Sequence, residues 1–163
     1  MGNKWVYSRE DASFNKMFRI CNRPDNLIFT FMKQHLAHIA LVVNDYDEAI
    51  NFFVKKLHFT LVEDTVLSTE KRWVLVAPPG SGPDSCHILL AKAANDEQRS
   101  RIGNQTGGRV FLFLYTDDFQ RDHQNLLLQG IKIIRQPITE PYGTVLVFED
   151  LYGNWWDLIQ VKS

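Results

Sequence analysis

The chain has little cysteine, almost no net charge and no long apolar run. Its two cysteines, Cys21 and Cys86, show no metal-type spacing, so neither a disulfide framework nor a cysteine-based zinc site is expected. Two isolated thiols suit a reducing compartment, and the expected location is cytoplasmic. A net charge of −1 over 163 residues provides no basic surface for nucleic acid. No apolar run approaches the roughly 20 residues of a membrane helix, which argues against a membrane partner. The stretch Leu27–Phe31 is too short for the apolar part of a secretion signal.

What is present is the composition of an ordinary globular protein, 45% hydrophobic and 23% charged. Residues 1–34 show neither helical nor strand period and read as an extension outside the core fold. Residues 35–163 read as a single domain, and within it the chain repeats itself. HIALVVNDYDEAINFFVKKLHF (38–59) and VFLFLYTDDFQRDHQNLLLQGI (110–131) both run from an apolar strand through an Asp into an amphipathic helix. Asp45 with Glu48 and Asp117 with Gln120 read as two capping boxes at one spacing of 72 residues. Strand-like segments follow each helix, at 59–64, 72–77 and 86–91, then at 131–135, 144–149 and 155–161. The repeats, 35–91 and 109–161, are joined by a polar linker, 92–108. Each half therefore reads βαβββ and is too small to bury a core alone. The expected fold is α+β: tandem modules forming two curved mixed sheets around a shared cleft, with helices outside.

Strand alternation assigns side chains to that cleft. If His38 faces it, so do Val110, Leu112 and Leu114 in the second half. Asp157 brings Trp155 with it, and the apolar face of CHILLAK leaves His87 on the cleft side. Arg109 begins a strand and is a candidate anion contact, as is Arg72. Tyr142, in the turn EPYGT, stands near the cleft mouth. An apolar pocket with a few convergent polar groups is the usual form of a small-molecule site. Within it Asp157 is the hardest residue to explain structurally, because an unpaired buried carboxylate is costly. Paired with His38, it would fix the imidazole tautomer and support acid–base work.

The tandem βαβββ order, the opening HIALVVND and the closing DLYGNWWDLIQ resemble the vicinal oxygen chelate superfamily. That group includes glyoxalase I, extradiol dioxygenases, fosfomycin resistance thiol transferases and bleomycin resistance proteins. The resemblance spans residues 35–161. It implies metal ligands on the first and last strands of each half, and it places His38 and Asp157 at two of the four positions. The other two fall on Val110 and near Leu89, which bind no metal. The resemblance thus implies a protein that binds a small hydrophobic or aromatic ligand at a degenerate metal site, without cofactor. The alternative it implies is a lyase, isomerase or dioxygenase using Zn, Ni, Mn or Fe held by His38, Asp157 and His87. Relatives of this kind are often dimers, so the implied partners are a small molecule and a second copy of the chain.

Overall fold

A β-rich run, HIALVV, makes β1 (His38–Val43), and Asp45 ends it by capping α1 (Tyr46–Asn51). The Asp45 carboxylate accepts from the backbone N–H groups of Asp47 (2.9 Å) and Glu48 (3.1 Å), two donors that a first helical turn leaves unpaired. The helix continues as a π-helical stretch, Phe52–Lys56. Next come β2 (Thr60–Val66), β3 (Arg72–Ala77) and β4 (His87–Lys92), then a short α2 (Asp96–Arg99) in the linker. The second half repeats the order with β5 (Val110–Tyr115), α3 (Phe119–Leu128), β6 (Ile133–Glu140), β7 (Gly143–Glu149) and β8 (Trp155–Val161). These elements come from a computed structural model that describes residues 34–162.

The strands form two mixed sheets, ordered β1-β4-β3-β2 and β5-β8-β7-β6, with β1 parallel to β4 and β5 parallel to β8. This is the expected tandem βαβββ architecture, with helices packed outside the sheets. The two halves share one apolar core. Phe53, fully buried, lies 5.9 Å from Trp156 of the other half, and Phe59 lies 6.3 Å from the same ring. By internal contacts the chain divides into Met1–His35 and Leu36–Ser163. The expected extension, residues 1–34, falls almost wholly outside the described residues. Among these, no helix is long and apolar enough to cross a membrane.

One local feature departs from the repeat read in the sequence. Between Val110 and Leu112 the register of β5 on β8 shifts, so Phe111 is an extra, bulged residue. A one-residue shift turns every later side chain to the opposite face. Leu112 and Leu114 therefore pair with Trp156 and Leu158 and pack against the core, which corrects their expected place in the cleft. Phe113 and Tyr115 take the face away from the helices, 60% and 66% exposed. The same extra residue moves the helix cap. Asp118, rather than Asp117, accepts from the Arg121 N–H at 3.0 Å, while Asp117 pairs with the Arg121 guanidinium.

The linker contributes one more structural device. The Gln105 side chain accepts from the Val42 N–H (2.8 Å) and donates to the Ala40 carbonyl (2.7 Å), meeting the free edge of β1 as a neighbouring strand would. Its own backbone N–H donates to Asn154 Oδ1 at 3.2 Å, which fastens the linker to the loop before β8.

Candidate functional site

The face of each sheet turned away from the helices carries the chemically distinctive side chains. On the second sheet Phe113, Asp157, Val147 and Arg135 form one row across the four strands. With Arg109, Val110 and Trp155 they line a hollow of about 580 Å³. Four sequence-derived candidates, Arg109, Val110, Trp155 and Asp157, thus meet in one place. Sequence reasoning missed Phe113 because the bulge was not visible, and missed Arg135 because its strand is the irregular edge, with register shifts on both sides of it.

Asp157 is the unusual member of this group. Its side chain is 13% exposed, and Oδ1 is buried without a hydrogen bond. The Arg135 guanidinium stands 3.6 Å away, within ion-pair range but too far for a good hydrogen bond. Burial raises the Asp157 pKa above the ordinary carboxylate value, and Arg135 only partly opposes this. The site therefore holds a poorly solvated acceptor beside a cation, between the apolar surfaces of Trp155, Phe113 and Val147.

The start of β8 is fixed by Asp150. This carboxylate is 5% exposed and saturated with donors. Its Oδ1 accepts from the backbone N–H groups of Tyr152 (2.9 Å), Gly153 and Asn154 (both 3.0 Å). Its Oδ2 accepts from Asn154 Nδ2 (3.0 Å) and Trp156 Nε1 (3.2 Å). With both oxygens engaged, the turn holds Trp155 and Asp157 in register on the open face. A signal was present in the sequence, since an Asp four residues before an Asn at a Gly-containing turn suits such a loop.

The first sheet has a different set. His38, exposed at the strand edge, stacks on His87 at 5.7 Å and meets the edge of Trp73 at 5.8 Å. His87 lines a separate, smaller hollow of about 190 Å³ with Val62, Pro78 and Pro83. Tyr142 is 54% exposed at the β6–β7 turn and lines neither hollow. Arg72, a candidate anion contact, is engaged instead by Asp47 (2.6 Å) and Asp64. Both partners raise the pKa of its guanidinium.

The divalent ion that the resemblance implied does not fit these residues within one chain. Among the described residues no three His, Cys, Asp or Glu side chains are grouped to hold a metal, so His38, His87 and Asp157 form no such set. The two histidines belong to one sheet and the carboxylate to the other, where its nearest charged neighbour is a cation.

Comparison with known proteins agrees with this architecture. An uncharacterized protein of Shewanella frigidimarina (strain NCIMB 400) is 62% identical over 133 residues, 81% of this chain and 97% of the relative. The solved structure of UcmS2 is similar with a TM-score of 0.67 and 26% identity, covering 78% of this chain and 98% of that one. TnmS3 from Streptomyces sp. CB03234, described as an antibiotic binding protein, has a TM-score of 0.64 and 27% identity, covering 80% and 98%. The family model that matches residues 35–158 covers most of the chain. The chain belongs to the Glyoxalase/Bleomycin resistance protein/Dioxygenase superfamily.

Proposed function

We propose that this protein binds a small hydrophobic or aromatic molecule in the hollow around Asp157, at a metal site that has degenerated. The observation that carries this reading is the mostly buried Asp157 carboxylate, its Oδ1 unbonded, in a wall of apolar side chains that also holds two arginines. A carboxylate held with so few donors is costly, by about 1–3 kcal/mol, and a ligand N–H or O–H that reaches its exposed remainder would offset part of that cost. Trp155 and Phe113 offer aromatic surface to a ring, a contact with about 0.5–1.5 kcal/mol beyond burial alone. Arg135, beside the carboxylate, and Arg109, elsewhere in the same lining, are donors for an acceptor on the same ligand. The likeness to TnmS3, described as an antibiotic binding protein, supports a small organic ligand. His38 and Asp157 keep the outer positions of the family pattern, while Val110 and Leu89 occupy the other two.

The test is a thermal-shift panel of aromatic compounds, including polycyclic antibiotics, on the full chain. At least one compound should raise the melting temperature by about 4 °C or more at saturating concentration. Asp157→Asn and Trp155→Ala should each remove more than half of that shift. Asp157→Asn should also stabilise the free protein at neutral pH. Folding raises the Asp157 pKa, so its ionised form opposes folding above that pKa and ceases to do so below the unfolded value. The gain should therefore fade as the pH drops into the acid range. A panel without any shift, or shifts that survive in both variants, would sink the proposal.

A further inference from the structure

A second hollow, of about 550 Å³, opens between the two halves on the helix side, away from Asp157. Its apolar lining includes Leu114 and Pro78, both half-buried, above the core residues Phe59, Phe148 and Leu158, and its rim carries Asp117, Arg121 and Asp122 at the start of α3. The internal repeat supplies a reference for what such a hollow holds. His58 and Gly130 occupy equivalent helix-to-strand turns, with left-handed φ values of 58° and 63°. His58 lines the hollow beside Thr116 and Asp117, at the strand-to-helix corner of the opposite half. At the β1–α1 corner the β7–β8 loop inserts Tyr152, which packs on the core. The Tyr152 hydroxyl donates to the Asp45 carbonyl (3.2 Å) and lies 3.4 Å from a Glu48 carboxylate oxygen. At the β5–α3 corner the equivalent loop, PPGSGPDS, brings Pro78, Pro79 and Gly80 and has no aromatic residue to insert.

We propose that this corner is a second binding site, which accepts from outside the hydroxylated aromatic ring that Tyr152 supplies at the other corner. The ligand class is a phenol or naphthol, its ring seated against Leu114 and Pro78. Its hydroxyl donates to the Asp117 or Asp122 carboxylate, whose oxygens accept several hydrogen bonds each. Arg121 now bonds both carboxylates, Asp117 at 2.8 Å and Asp122 at 2.8 Å, and so holds the acceptors in place. The volume falls within the range of small-molecule pockets and leaves room for a second fused ring. This site is independent of the hollow around Asp157 and does not rest on the function proposed for it.

The experiment uses equilibrium dialysis of 2-naphthol against the full chain carrying Trp155→Ala, which removes the aromatic wall of the other hollow. Saturable binding of one equivalent is expected. Adding Arg121→Trp, at an exposed position on the rim, should weaken it at least fivefold by filling the entrance. On the unfilled corner, 2-methoxynaphthalene should bind at least fivefold more weakly, because it has no donor for the carboxylates. Absence of saturable 2-naphthol binding, or binding indifferent to Arg121→Trp, overturns the site. Equal affinity for the methoxy compound overturns the assigned ligand class.

Discussion

The corner between β1 and α1 and the corner between β5 and α3 are built from the same parts, yet among the described residues only the first is filled by a loop aromatic residue. At the filled corner Asp150 shapes the β7–β8 loop, Tyr152 reaches the Asp45 carbonyl, and the linker closes over the outside. Gly103 in that linker approaches so closely that a Cβ on it would stand 1.9 Å from the Tyr152 carbonyl oxygen. At the other corner a proline- and glycine-rich loop leaves about 550 Å³ between the halves. Duplication of a module therefore does not duplicate its packing. The loop between the last two strands decides whether a corner becomes core or cavity, and the strands and helices beneath it are indifferent to the choice.

That contrast can be broken from its filled side. Asp150→Ala should have the largest effect, a loss of about 4 kcal/mol, because it strands five donors around one buried position. Urea unfolding measures this directly, and a loss under about 1 kcal/mol would show that the loop holds itself without the carboxylate. Gly103→Ala should follow, at about 3 kcal/mol in the same assay. It combines a φ of 75°, which L side chains rarely adopt, with a backbone clash that no rotamer relieves. An unchanged unfolding midpoint would mean that the linker stands off from the Tyr152 loop in solution.

Tyr152→Phe should show the smallest effect, about 1 kcal/mol, as it removes one hydrogen bond and keeps the ring. Its pH dependence sharpens the point. Burial pushes the Tyr152 pKa up to about 12, above the ordinary value of 10.0. A raised pKa stabilises the fold fully below the unfolded value, and that contribution is lost as the pH climbs through the folded one. The advantage of wild type over Tyr152→Phe should therefore shrink between pH 10.0 and about 12. A difference that stays flat over this range would place the hydroxyl in water.

Much of this was legible in the sequence because the signals were periodic. Apolar alternation placed β1, β4 and β8 with their correct faces, and Asp45 marked its cap. Leu112 and Leu114 went astray for one reason, the bulge at Phe111. A single inserted residue leaves composition and hydrophobicity untouched, yet it reverses every face after it. The neighbouring Asp117 and Asp118 hid the same shift, since either satisfies the rule for a helix cap. Asp157 was legible as a candidate because it interrupts an apolar strand, and Trp155 because alternation puts it on the same face. Arg135 was not, since pairing across β6, β7 and β8 is a property of tertiary register. For Asp150 the sequence signals a turn but not its bond to the Trp156 indole, whose geometry exists only once the turn has formed.

The amide of Gln105 has a consequence for how copies of this protein meet one another. An uncovered edge strand presents a row of backbone donors and acceptors, on which a foreign strand can grow without regard to its sequence. Gln105 occupies the Ala40 carbonyl and the Val42 N–H, the middle of the β1 edge. A strand docking there would first have to displace two hydrogen bonds, with little new pairing to show for it. One side chain in a linker thus takes the place of a ninth strand at a point where the sheet itself has nothing more to add.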